Sequence, residues 1–175
     1  MKYFLLFIAL LPFTFIYGQK SDNSYIVSNH EEGSLYFILP QSIAKTSKEI
    51  SKKDFLFDVT YLNSRDSVSY TCTYTTNKEF HSDSISIQSN GQIATLPLET
   101  LFIDKKSSSW IHRVRFIIPF DYFEQLYQND NSYKIIISSK GDFVEYEYKE
   151  KKWTQAKAKM NDIITLIKVN KKTLQ

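Results

Sequence analysis

Apolar and polar residues alternate with a period of two over much of the chain, the signature of half-buried β-strands. Residues 54–62, DFLFDVTYL, place Phe55, Phe57, Val59 and Tyr61 on one face and Asp54, Asp58 and Thr60 on the other. Residues 67–75, SVSYTCTYT, place Val68, Tyr70, Cys72 and Tyr74 together, with Ser67, Ser69, Thr71 and Thr73 opposite. Asn63-Ser64-Arg65-Asp66 between them has turn chemistry. The pair therefore predicts an antiparallel hairpin with one dry and one wet face.

A second hairpin is predicted at SISIQSNGQIATLP. Asn90-Gly91 is the dipeptide best able to supply two positive φ angles to a two-residue turn. That loop length sets Ser89 opposite Gln92, Ile87 opposite Ala94 and Ile85 opposite Leu96. SWIHRVRFIIPF, residues 109–120, reads as a strand in which Trp110, His112, Val114, Phe116 and Ile118 share a face. Arg113 and Arg115 share the other face with Ile111 and Ile117, and Pro119 ends the run. A short helix is expected over about 120–128, with Asp121 and Glu124 at capping-box spacing.

SYKIIIS, residues 132–138, and FVEYEYK, residues 143–149, form a third hairpin around Gly141, with Val144, Tyr146 and Tyr148 on one face. SLYFIL, residues 34–39, and a short stretch at 99–103 add strands. Residues 19–32 are polar and read as partly loose, and 41–53 as an irregular connection. The period then changes. Trp153, Ala156, Met160, Ile163, Ile164 and Ile167 form a helical stripe within about 151–169. Together these predict a mainly β domain of about eight to ten strands. It is an antiparallel β-sandwich or partly open β-barrel, with a short inserted helix and a C-terminal amphipathic helix. A calyx closed by the last helix is one member of that class.

The first residues change the compartment. Lys2, the apolar run Tyr3–Ile16 and the small Gly18 before Gln19 have the three-part layout of a secretory leader. The run is shorter than the ~20 residues of a spanning helix. The expectation is a signal peptide over 1–18, one domain over 19–175, and a secreted or periplasmic product. No cysteine follows the leader, so lipid attachment to an amino-terminal cysteine is excluded. Cys72 is the single cysteine and has no internal disulfide partner. A chain of 175 residues with 15% aromatics and only four glycines suits a large unstapled core. The wealth of Lys, Ile, Asn, Tyr and Phe points to a bacterial chain.

Net charge is +3, unevenly spread. Residues 149–175 hold eight lysines against Glu150 and Asp162, on a mildly acidic body. The basic helix reads first as a core-packing element with a wet lysine face. Peripheral contact with an acidic membrane and docking on a protein partner are the alternatives. Nucleic-acid binding is not expected, because no basic face with stacking groups accompanies the charge.

Candidate chemistry is sparse. His30, His81 and His112 are far apart and lack metal-site spacing, so no metal or cofactor is expected. HEEG at 30–33 lacks the second histidine of a zinc-protease helix. His112 reads as a core histidine bonded to backbone or carboxylate, or as a polar handle in an apolar pocket. Arg113 and Arg115, ~7 Å apart along a strand, could clamp an anion. The simpler reading pairs them with cross-strand acids such as Glu145 or Glu147. Cys72, mid-strand on the dry face, reads as an inert buried thiol. No nucleophile elbow or phosphate loop is present.

The function expected from this pattern is an exported, non-catalytic binding or interaction module for a small apolar ligand or a protein. Trp110, His112, Tyr70, Tyr74, Tyr146 and Tyr148 are its candidate ligand contacts. A small hydrolase using His112 and carboxylates, and a membrane-associated factor using the last helix, are the alternatives.

Overall fold

In the computed structural model, described over residues 24–46, 55–89, 92–128, 134–148 and 150–173, ten strands and two helices follow in order. They are β1 (Tyr25–His30), β2 (Gly33–Thr46), β3 (Phe55–Leu62), β4 (Ser67–Thr76), β5 (Ser84–Ser89), β6 (Gln92–Pro97), β7 (Glu99–Lys106), β8 (Ser109–Pro119), α1 (Phe120–Gln128), β9 (Lys134–Ser139), β10 (Asp142–Tyr148) and α2 (Glu150–Thr173). The expected leader over 1–18 and the expected turn at Asn90-Gly91 lie outside the described residues.

Every ladder is antiparallel, in the order β6-β5-β9-β10-β2-β3-β4-β8-β7, with β1 also on β2. β2 is the hinge of this order. One edge pairs with β3 throughout. The other edge is shared, with β1 on Gly33 to Ile38 and β10 on Ala44 to Thr46. Between those partners the register slips twice, from Ile38 to Gln41 and from Ser42 to Ala44. Pro40, which has no N–H to donate, sits at the first slip. Such irregularities bend a strand, and β2 passes here from one leaf of the sheet to the other. The end strands, β6 and β7, are joined by Leu98 alone, so the sheet must curl back on itself. No ladder joins them among the described residues. The result fits a sandwich or open barrel and is not closed.

The period-two faces behave as their chemistry dictates. Phe55, Phe57, Val59 and Tyr61 are buried, as are Val68, Tyr70, Cys72 and Tyr74, and Phe57 meets Tyr70 at 5.8 Å between ring centres. The β5–β6 ladder has the expected register, Ser89 with Gln92 through Ile85 with Leu96. α2 lays its stripe on this core. Trp153 is 7% exposed, Ile163 2% and Ile167 0%. Burying an aliphatic or aromatic side chain contributes ~1.5–3 kcal/mol, so this stripe is a major part of the stability.

Several expectations needed correction. Residues 25–30 are a strand rather than loose chain, and the first part of the 41–53 connection, through Thr46, continues β2. The strand expected at 99–103 runs to Lys106. HEEG forms the turn between β1 and β2, where His30 faces Gly33 across a two-residue loop. Gly33 adopts φ 131°, and a Cβ there would strike the Asn63 side-chain oxygen, which accepts the Ser34 N–H at 2.9 Å. The capping box is not formed as drawn. α1 has the expected bounds, its first N–H donates to the Asp66 carbonyl at 2.8 Å, and the Glu124 side chain accepts from Lys168 and Gln128.

Candidate functional site

Between the two leaves lies a cavity of about 30 Å³. One wall is the dry face of the central hairpin and its neighbour: Phe55 and Phe57 from β3, Tyr70 and Cys72 from β4, Phe116 from β8. Ile87 from β5 and Ile135 from β9 face them from the other leaf. Leu126 and Tyr127 of α1, Trp153 of α2 and Tyr148 of β10 complete the lining. Alternation on six strands therefore supplies the walls, and the two helices supply the cover. All lining residues are buried except Tyr148, which is half-buried.

The rings are ordered. Trp153 lies between Tyr148 and Tyr127, with centres 4.6 and 5.4 Å away and planes within 28°. Tyr70 stacks on Phe116 at 5.0 Å, and its hydroxyl is 2.9 Å from that of Tyr127. Burial pushes the Tyr70 hydroxyl well above its ordinary pKa, helped by Tyr127. Burial likewise pushes the Cys72 thiol up, helped by Asp58 and opposed by Arg113. No acidic or basic side chain is among the lining groups. Burial thus favours the neutral forms of Tyr70 and Cys72, and the interior suits uncharged, apolar matter.

A second aromatic cluster adjoins the chamber. Tyr74 stacks on His112 at 4.8 Å, and Tyr146 meets Tyr74 edge-on and Phe55 at 4.9 Å. The loop Asn77–Asp83 folds over this cluster and inserts the buried Phe80 against His112. Thr76 fixes the tautomer of His112. Its hydroxyl proton goes to the Lys78 carbonyl at 2.5 Å, so His112 Nε2–H donates to Thr76 Oγ1 at 2.6 Å. Nδ1 is then a bare buried acceptor with no partner among the described residues. Burial, aided by the charge of His81 and opposed by Glu79 and the Phe80 backbone, lowers His112 to about 4. Tyr74 donates to Ser82 at 3.1 Å, and burial raises its hydroxyl to about 12 despite that bond.

The structure thus divides the six candidate contacts. Tyr70 and Tyr148 line the chamber, while Tyr74, His112 and Tyr146 form the adjoining cluster. Trp110 sits at the start of β8, with Lys105 Nζ 5.6 Å from its ring centre. His112 bonds the Thr76 hydroxyl and also feels the Phe80 backbone, and both side chains are shut from solvent: His112 is 0% and Thr76 2% exposed.

Arg113 donates to Asp58 at 2.9 Å and to Thr73 at 3.0 Å, and Arg115 holds Glu99. Their partners are not Glu145 or Glu147, because β8 lies between β4 and β7, on the leaf away from β10. Glu145 pairs with Lys134 instead. An anion clamped there would have to displace two carboxylates.

The chain shows no match to a protein-family model, to a curated protein or to a solved structure. The site must be read from its own chemistry.

Sequence reasoning missed Trp153, Tyr127 and Phe57 as members of one site. The available signal was the hairpin register, which places Phe57 beside Cys72 and Tyr70. The meeting of that face with the helical stripe is long-range and has no local signal. The other hollows are open surface grooves, such as one between α1 and α2 bridged by Lys168 and Glu124 at 2.7 Å. Among the described residues no three His, Cys, Asp or Glu side chains gather as a metal set, and no helix is long and apolar enough to cross a membrane.

Proposed function

We propose that this chain is an exported, non-catalytic binding module that holds a small apolar ligand in the chamber between its leaves. The observation carrying the proposal is the lining itself. Its walls come from both leaves, it holds no acidic or basic side chain, and burial drives Tyr70 and Cys72 toward their neutral forms. A site built to move protons near pH 7 needs groups whose pKa lies near 7. Here Tyr70 and Cys72 are pushed up and away from neutrality, and nearby His112 is pushed down. The hydrolase alternative needs His112 beside a carboxylate and an accessible nucleophile; its partner is the sealed hydroxyl of Thr76. The membrane alternative needs an outward apolar face on α2, whereas that stripe packs inward.

Export belongs to the proposal on the strength of Lys2, the Tyr3–Ile16 run and Gly18. Mass spectrometry of protein recovered outside the cytoplasm is expected to give a mature chain starting near Gln19. A start at Met1 would sink the export claim. Ligand binding is tested by thermal denaturation, because a ligand that binds only the folded state raises Tm. The panel is alkyl maltosides below micelle-forming concentration, indole and naphthalene. At least one is expected to raise Tm saturably, and Ile87→Phe, which fills the chamber, should abolish the effect. No rise with any probe would overturn the reading.

A further inference from the structure

We propose that the outer edge of β7 pairs antiparallel with the same edge of a second copy of this chain, about a two-fold axis at Ile103. The inference stands apart from the chamber and goes beyond the ligand reading.

The edge is open, and its ends match each other. β7 closes the strand order, and among the described residues no strand ladders onto its outer side. Its residues are exposed except Ile103, which is half-buried. Such an edge offers unpaired N–H and C=O groups to a further strand, and β7 adds the exposed apolar side chains of Leu101 and Phe102 beside them. The two other strands with a single neighbour are built differently. β6 is uncharged and ends in Pro97, which guards an edge, and β1 holds no Asp, Glu, Lys or Arg. β7 is acidic at its first residue, Glu99, and basic at its last two, Lys105 and Lys106. Antiparallel pairing with a copy sets those opposite ends together, whereas parallel pairing sets lysine on lysine.

The bulge fixes the register. Against β8, Glu99 lies opposite Arg115, Phe102 opposite Arg113 and Asp104 opposite Ile111, with Leu101 the extra residue at the slip. Glu99, Phe102, Asp104 and Lys106 therefore share one face, and Thr100, Ile103 and Lys105 the other. Residues opposed across an antiparallel pair lie on the same face. A two-fold at Ile103 meets that condition along the whole strand. Ile103 meets itself, Phe102 meets Asp104, and beyond the bulge Glu99 meets Lys106. A two-fold at Phe102 instead brings Asp104 onto Glu99, two like charges. Arg115 donates twice to Oε2 of Glu99, which leaves Oε1 to accept from Lys106 of the second copy. The symmetry makes that ion pair twice.

The test follows the full chain by sedimentation velocity as protein concentration rises. A reversible passage from one chain to two is expected. Lys106→Glu should weaken the dimer roughly tenfold, because each exposed pair counts twice. Glu99→Lys combined with Lys106→Glu should restore it. Both positions are exposed, so Tm of the dilute protein should hold and show that the variants fold. Register is read by oxidative cross-linking at exposed positions. Mixed Phe102→Cys and Asp104→Cys chains should form a disulfide-linked dimer, and each alone far less. Opposed residues are within disulfide reach, and diagonal ones at ~7–8 Å are not. Cys72 is buried and its thiol is pushed up, so it stays out of the reaction.

One chain at every concentration up to roughly 1 mM would overturn the proposal and leave the edge to another segment of this chain or to a different protein. A dimer indifferent to both charge variants would overturn it by placing the contact on another surface. Equal cross-linking in mixed and single samples would overturn the register.

Discussion

Over the chamber, Trp153 lies flat between Tyr127 and Tyr148, delivered by a long helix. Over the neighbouring His112 cluster, a seven-residue loop delivers Phe80 and is tied down by Thr76, His112, Tyr74 and Ser82. Each cover buries an aromatic ring, but they hold it differently. Apolar stacking is non-directional and survives small displacements. A buried hydrogen bond is fixed in length and angle, and breaking it leaves a desolvated group behind. The loop cover rests on bonds that are either made or lost, and the helical cover adds to its stacking the bonds from Asn161 to the Tyr127 carbonyl at 3.3 Å and from Asn170 to the Tyr36 hydroxyl at 2.7 Å. The loop cover also closes over a titratable group, because burial beneath it favours the neutral form of His112 on β8.

The severest way to break this comparison is to remove the helical cover. Deleting residues 150–175 strips Ala156 and five large buried side chains, the latter each contributing ~1.5–3 kcal/mol, from a domain whose net stability is typically ~5–15 kcal/mol. The expected outcome is loss of a cooperative thermal transition by circular dichroism. A shortened chain that still melts cooperatively would show that α2 is an appendage. On the loop side, Phe80→Ala is expected to cost ~3–5 kcal/mol in urea denaturation. A loss below about 1 kcal/mol would mean the loop rests on the sheet without closing it.

The pH dependence separates the covers next. His112 has a folded-state pKa of about 4, below its ordinary value of 6.5. As pH falls, the unfolded chain takes up the proton first, so stability is full above pH 6.5 and declines between 6.5 and about 4. The total loss is roughly 3 kcal/mol. His112→Gln should flatten that window relative to the native chain, and an unchanged slope would remove His112 as the titrating group.

Smaller effects sharpen the picture. Tyr74→Phe deletes the bond to Ser82 and should cost about 1 kcal/mol. On the wet face, Arg113→Gln is expected to lose about 1 kcal/mol and Arg115→Gln roughly half of that or less. The Arg113–Asp58 pair is partly shielded, while Arg115 and Glu99 are exposed. Equal losses in a double-mutant cycle would argue against burial as the cause.

Much of the fold was readable from residues with two different faces. β3, β4 and β8 alternate because one side is in the core. The β5–β6 register followed from assigning a two-residue loop to Asn90-Gly91 together with the apolar pattern on either side, and α2 announced itself by its stripe. β1 and β7 were missed or clipped for the converse reason. As edge strands their side chains are mostly exposed on both faces, so no alternation marks them. Pro40 hid the continuation of β2, because a proline usually ends a strand and here marks a bend within one. The partners of Arg113 and Arg115 were misjudged because sheet order, unlike strand identity, depends on which distant strand arrives alongside. The chamber was illegible for that reason. Tyr70 and Tyr148 belong to it, and Tyr74 and Tyr146, with identical local patterns, do not.

The strand order has a consequence for how the chain reaches this state. β2 waits for β10, about a hundred residues later, and the β5–β6 hairpin has no neighbour until β9 exists. A chain emerging amino-terminus first can zip up β3 and β4 early, yet cannot complete either leaf until nearly all of it is out. Folding should accordingly be slow, in the millisecond-to-second range of topologies dominated by distant pairings, and the emerging polypeptide stays threadable until the last strand is released.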